Sequence, residues 1–298
     1  MKTFRQRIAA APITWGVSEV PGWGYQLSPK RVLDEMRNLG IYASELGPNG
    51  YFARDNSAVE EMRSSEFSII AGFVPITFHF PGGMNTSYAE LERVFSQLKD
   101  VGAEYAVLAL ASDESGYNVR PRLKGRQWQQ VNRTLEAVTE MVTAHGMRPV
   151  LHPHFGTFIE SAEDTLKILE NSNVGLCLDT GHLALAGDDP VALAAAVPDR
   201  VQHVHLKDVD LDLAAAVRTG TVPYYEAVRD GLFKPLGQGD LKIDDLIYRL
   251  EAAGYHGWYV LEQDVVLPHE PLPGAGPEHN ATISLDYLAQ IDVTGLAA

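Results

Sequence analysis

Val201-Gln202-His203-Val204-His205-Leu206-Lys207-Asp208 is a short run in which apolar residues alternate with histidines before two opposite charges close it. Period-two alternation over a few residues reads as a strand, 201–206, and places His203 and His205 on the same side at different depths. Three other apolar runs end the same way. RPVLH (148–152) runs into His152-Pro153-His154, VGLCLD (174–179) ends on Asp179, and WYVLE (258–262) ends on Glu262. Four of the chain's ten histidines therefore cluster at the ends of two candidate strands, and a fifth, His182, stands just past a third.

Working outward, further candidate strands fall at 8–15, 41–46, 67–77 and 105–111. Several are apolar throughout, as parallel strands covered on both faces should be. Helical periodicity separates them. It is clearest at 125–145, where Trp128, Val131, Leu135, Val138 and Val142 recur at spacings of three and four. Segments 30–39, 87–101, 162–170, 189–196, 243–253 and 280–291 behave alike, and Gly40, Gly102, Gly146 and Gly254 stand where helices should stop. Strands alternating with helices form either a doubly wound open sheet or a closed barrel. No GxGxxG follows the first strand and no GxxxxGK[ST] occurs, so the nucleotide-binding open sheets lose support. The expectation is one (β/α)₈ TIM barrel domain spanning 1–298, a length that suits the fold.

In such a barrel the site lies at the C-terminal ends of the strands. His152, Asp179, His205 and Glu262 would then meet at one point. Two imidazoles and two carboxylates suit a divalent metal, with Mn²⁺ or Co²⁺ foremost and Fe²⁺, Zn²⁺ or Mg²⁺ behind them. A set of buried groups satisfying one another is the plain alternative, but four unpaired ionisable groups in one place would be costly. Two long connections, 208–240 and 263–279, are expected to be functional.

The formal net charge of −15 argues against a nucleic-acid or anionic-membrane partner. The one cysteine, Cys177, lies in an apolar run and reads as a buried, inert thiol. The opening residues lack a convincing cleavage site, and no run approaches the ~18 apolar residues of a membrane span, so a cytoplasmic protein is expected. Nothing in the sequence fixes an oligomeric state, and a homo-oligomer stays open.

The segments LDTGH (178–182), HVHLKD (203–208) and LEQD (261–264) resemble the signature of the xylose-isomerase-like barrels, which include sugar isomerases, ketose 3-epimerases and inosose dehydratases. ELGPNGY (45–51), HPHFGT (152–157) and PLGQGD (235–240) are similar to the inosose dehydratase branch. The resemblance covers the chain from about Trp15 to Asp264. It implies metal ligation by Asp179, His205 and Glu262. His152 stands where the epimerases and isomerases carry a fourth, glutamate ligand; either His152 or His154 can be that ligand here, with His152 the first choice and His154 then left for substrate or an outer layer. It further implies dehydration of 2-keto-myo-inositol (scyllo-inosose), a small polyol ketone, to a trihydroxycyclohexane-1,2-dione. Ketose 3-epimerisation or sugar isomerisation through a metal-held enediolate is the alternative.

Dehydrating a β-hydroxy ketone means removing the proton beside the carbonyl and expelling hydroxide from the next carbon. The candidates for acid and base are Glu45, His182, Lys207 and His154. Each has a bland reading: a solvated strand-end carboxylate for Glu45, a loop cap for His182, an ion pair with Asp208 for Lys207. Trp15, His203 and Arg218 are candidate substrate contacts, Tyr51 and Phe155 more remote ones. The 208–240 connection, with Arg218, Tyr224 and Tyr225, is expected either to close over the site or to be a passive excursion.

Overall fold

The computed structural model describes residues 2–52, 67–80, 83–112 and 117–296. Eight strands alternate with helices along the chain: β1 (Ile8–Ala10), β2 (Ala43–Glu45), β3 (Ser68–His79), β4 (Tyr105–Ser112), β5 (Arg148–Leu151), β6 (Gly175–Asp179), β7 (Val201–Leu206) and β8 (Tyr259–Leu261). All pair in parallel in the order β2–β1–β8–β7–β6–β5–β4–β3, and β3 pairs with β2 to shut the ring. This is the closed (β/α)₈ barrel that the alternation predicts.

Apolar residues divide into two sets according to the direction they face. Small side chains, among them Ala9, Ala43, Ala71, Val107, Val150, Cys177 and Val260, pack together as one buried cluster. Larger ones, including Leu108, Leu151, Leu176, Leu178, Val204 and Leu261, belong to the main cluster with the helices. Alternation along the strands produces the split, and the smaller residues share the inside of the ring with the Tyr105 and Trp258 rings, which fill it.

Helices return the chain between strands: α1 (Pro29–Asn38), α2 (Tyr88–Asp100), α3 (Arg126–Ala144), α4 (Ala162–Glu170), α5 (Thr180–Ala186) and α6 (Pro190–Ala196), then α7 (Leu211–Arg218), α8 (Tyr224–Arg229), α9 (Ile243–Ala252) and α10 (Pro277–Ala289). Their starts are written locally. Ser28 caps α1 ahead of Pro29, Ser87 and Glu90 form a reciprocal capping box on α2, and Ser161 caps α4. Gly40 and Gly146 take the left-handed conformation (φ 75° and 82°) just past α1 and α3, where a side chain would be strained.

One buried ion pair ties the N-terminal strand to its last neighbour. Arg7 donates to both carboxylate oxygens of Glu251 at 2.6 Å and to the carbonyls of Tyr255 and Gly257. Tyr259 adds a hydroxyl donor to the same carboxylate. The contact sits where β1 and β8 pair, so it fastens the barrel at its sequence ends.

Three expectations change. The first strand stops at Ala10, because Pro12 has no N–H to donate and opens a 3₁₀ turn, Pro12–Trp15. The 208–240 connection is folded: it holds α7, α8 and a two-stranded antiparallel ladder of Asp208–Val209 with Phe233–Lys234. It is packed on a second apolar cluster of Trp23, Phe155, Leu185, Val217, Tyr224 and Phe233, among others, and so forms a fixed wall of the barrel mouth. Finally, His182 lies in a helix, α5, that begins directly at the end of β6 with Asp179 as its cap. Among the described residues no helix is long and apolar enough to cross a membrane.

Candidate metal centre and cavity

Strands β5 to β8 are neighbours in the ring, so their ends arrive side by side. Asp179 and His205 are paired in register, Glu262 donates its N–H to the Leu206 carbonyl, and His152 donates its own to Leu108. The four side chains consequently turn to one place. His152 Nε2 lies 3.3 Å from Asp179 Oδ2, and His205 Nδ1 lies 3.5 Å from the same oxygen. His205 Nδ1 also contacts Glu262 Oε2. Ligand atoms of Asp179, His205 and Glu262 all lie within 4.8 Å of one another, as do those of His152, Asp179 and His182.

Glu45 explains how His205 presents that nitrogen. From β2, across the ring, its Oε1 accepts from His205 Nε2 at 2.9 Å and from His203 Nε2 at 2.7 Å. A carboxylate bound at Nε2 places a proton there, and Nδ1, which the surrounding carboxylates otherwise hold protonated, becomes the lone-pair nitrogen once a cation takes that proton's place. That lone pair then faces two carboxylate oxygens, and both His205 Nδ1 and Glu262 Oε2 lack a hydrogen-bond partner. Three electron-rich atoms converging in a buried place are reconciled by a cation, so these residues fit a divalent metal. Glu45 stands behind the histidine, the arrangement that orients metal-binding imidazoles generally.

A second charged group adjoins the first. Lys207 is fully buried, with Nζ 2.8 Å from Glu262 Oε1, 2.7 Å from Asp264 Oδ1 and 3.6 Å from Asp179 Oδ2. Burial works against its charge, but Asp264, Glu262 and Asp179 outweigh it and hold the ammonium well above the usual lysine range. Tyr224 of α8 donates to the other oxygen of Asp264 at 3.0 Å, which brings the folded excursion into the site. The ion pair with Asp208 does not form. Asp208 instead accepts the backbone N–H groups of Gly237, Gly239 and Leu241 and fastens that loop.

The cluster floors a cavity of about 320 Å³. Its polar wall holds Glu45, His152, His154, His205, Glu262 and Asp264, and its apolar wall includes Val20, Trp23, Phe73 and Leu91. His154 reaches the cavity, and His152 is the member of the pair that aims a nitrogen at Asp179. His154 Nδ1 donates to the Phe155 carbonyl at 2.8 Å, so Nε2 carries the lone pair. Burial, then the neighbouring His152 and Lys207, lower its pKa to about 3 and keep it neutral. His182 stacks on it, with ring centroids 3.7 Å apart, but lies behind the wall with both ring nitrogens unpartnered.

Three sequence candidates lie elsewhere. Trp15 is fully buried outside the cavity lining, its indole N–H donating to Glu35 of α1 at 2.8 Å. Arg218 turns away to the carbonyls of Ala184 and Leu185, closing the end of α5. His203 sits one layer down beneath Glu45, against the Tyr105 ring. Tyr51 is likewise spent on the core, where it donates to the Leu27 carbonyl, and Phe155 stacks on Tyr224.

Sequence reasoning passed over Glu19, Trp23, Tyr117 and Asp264, all of which line the cavity. Asp264 was legible, since it stands two residues past Glu262. Glu19 and Trp23 lie on the β1–α1 loop, which belongs to the end of the barrel where sites form, but no motif marks them.

Residues 63–291 match the family model of the xylose isomerase-like TIM barrel. The rhizopine catabolism protein MocC of Rhizobium meliloti is 32% identical over 271 residues, covering 87% of this chain and 81% of that protein. The inosose dehydratase of Geobacillus kaustophilus is 29% identical over 277 residues, covering 88% and 89%. Among solved structures, the IolI protein with a bound zinc atom superposes with a TM-score of 0.70 at 15% identity, covering 98% of this chain and 99% of that one.

Proposed function

The chain belongs to the xylose isomerase-like TIM barrel family, and we propose that within it this chain is a metal-dependent hydro-lyase, acting in the cytoplasm, that dehydrates scyllo-inosose to a trihydroxycyclohexane-1,2-dione in inositol catabolism. One observation carries the reading: the ligand atoms of Asp179, His205 and Glu262 converge beside the cavity, with His205 Nδ1 and Glu262 Oε2 left without hydrogen-bond partners. A volume of about 320 Å³ suits a small polyol ring. Several curated relatives named inosose dehydratase and the zinc in a structural neighbour point the same way.

Asp179, His205 and Glu262 would hold the ion, with His152 as the fourth ligand, and the mixed nitrogen and oxygen set suits Mn²⁺ or Co²⁺. When bound, it supplies Lewis-acid polarisation of the substrate ketone. The chain's own groups do the rest. The Lys207 ammonium lies behind the cavity wall and fixes the Glu262 and Asp264 carboxylates that line it. His154 accepts a substrate hydroxyl hydrogen at Nε2. Trp23 and Phe73 cover the C–H face of the ring and exclude water from the reacting carbons.

The test is metal analysis of purified protein followed by turnover of scyllo-inosose with and without chelator. A stoichiometric divalent metal and an ultraviolet-absorbing dione that disappears on chelation are expected. Undiminished turnover without metal sinks the reading, as does conversion of ketoses to their epimers with no dione formed.

A further inference from the structure

The carboxylates around the cavity differ in how far they are committed. Glu45 accepts from two imidazoles, Glu262 and Asp264 hold Lys207, and Glu90 caps α2. Glu19, on the loop between β1 and α1, lines the same cavity, and among the described residues its side chain has no ion pair and no hydrogen bond to another residue. We propose that Glu19 is the proton carrier of the dehydration, the group that takes the proton from the carbon beside the ketone and returns it to the hydroxyl that leaves.

In balanced form, the carboxylate removes the carbon-bound proton and the C–H electron pair becomes the enolate. The enolate pair then forms the carbon–carbon double bond as the C–O bond to the neighbouring hydroxyl breaks. Glu19 gives its proton to that oxygen, water leaves, and the carboxylate is restored. Neither oxidant nor co-reactant is needed, and one group on one face of the ring serves both transfers.

Three features favour Glu19. Lys207 is immobilised among Glu262, Asp264 and Asp179, whereas Glu19 is free to move between two adjacent substrate atoms. It stands at the solvent-facing rim of the cavity and is exposed there, so it can re-equilibrate with water between turnovers. Its surroundings also tune it: the enclosing protein, then Asp264 and Glu262, raise its pKa, partly offset by its own backbone N–H and by Lys207, while Tyr117 faces it as a neutral phenol. A substrate covering the rim would remove solvent and raise it further, toward the range in which proton carriers work best.

The inference rests on the dehydratase reading, and the experiment separates the two. Metal-loaded wild type, Glu19→Gln and Glu19→Asp are compared on scyllo-inosose across pH, with metal content measured for each. We expect kcat of Glu19→Gln to fall by about 10²–10⁴-fold with KM and metal content kept, and Glu19→Asp to recover part of the loss. In the wild type, kcat/KM falls as pH drops and the carboxylate is protonated; Glu19→Gln loses that acidic limb. A Glu19→Gln protein with wild-type kcat overturns this inference alone. A metal-loaded wild type that forms no dione overturns the dehydratase reading, and this inference with it.

Discussion

Replacing Glu45 with glutamine should weaken metal binding, although Glu45 would not itself touch the metal. The residue is 4% exposed, and a single oxygen accepts from His203 at 2.7 Å and from His205 at 2.9 Å. Glutamine keeps the shape and removes the charge. A hydrogen bond to a charged group contributes about 1.5–3 kcal/mol and a neutral one about 0.5–1.5 kcal/mol, so the bond that fixes the His205 ring loses roughly 1–2 kcal/mol. The ring also becomes a poorer donor at Nδ1, because a carboxylate on the far nitrogen raises the basicity of the near one. Loss of such a partner elsewhere lowers metal affinity by about 10–100-fold, which at about 1.36 kcal/mol per decade is the same size. Titrating metal-free protein with Co²⁺ and following its visible absorption gives the dissociation constant directly, whatever the activity does. Should Glu45→Gln bind Co²⁺ with wild-type affinity and yet be inactive, then Glu45 acts on the substrate and the role drawn from these two hydrogen bonds is wrong.

Three other outcomes follow from particular contacts. Arg7→Ala leaves the Glu251 carboxylate buried against little more than the Tyr259 hydroxyl; a cost of about 3–5 kcal/mol should lower the melting temperature by roughly 5–15 °C in a calorimetric scan, and a loss under a degree would contradict it. Trp15→Phe removes the buried bond to Glu35 and should destabilise by about 2–4 kcal/mol, while KM for scyllo-inosose stays at the wild-type value because Trp15 is not part of the cavity wall; a raised KM would restore it as a substrate contact. Cys177 is fully buried, and burial pushes its thiol up to about 12, so an aromatic disulfide reagent at pH 8 should label it only after denaturant is added.

The barrel and the strand-end cluster were legible because each rests on a short-range regularity. Alternation along VQHVHL puts His203 and His205 on one side, parallel strands place their ends together, and Asp179 and Glu262 close runs too apolar to be anything but buried strands. What alternation cannot supply is the partner each side chain meets at its depth. His203 and His205 face the same way and share one oxygen of Glu45 from β2, yet only His205 turns its other nitrogen to Asp179 and Glu262, while His203 packs on Tyr105 one layer down. Nor can it trace a chain once regular periodicity ends. Trp15 looked like a strand-end residue, but Pro12 turns the backbone into a 3₁₀ turn and drives the indole into the core against α1. The same turn starts the loop that carries Glu19 and Trp23 back over the mouth, where no periodicity marks them. Arg218 lies outside the site for a related reason: it ends α7 by donating to the Ala184 and Leu185 carbonyls of α5, a helix too short to announce itself before Asp179 is known to be its cap. Local pattern therefore locates the groups that would hold an ion, while the groups that would move protons depend on how loops fold back over them, a long-range property that a single strand's rhythm does not encode.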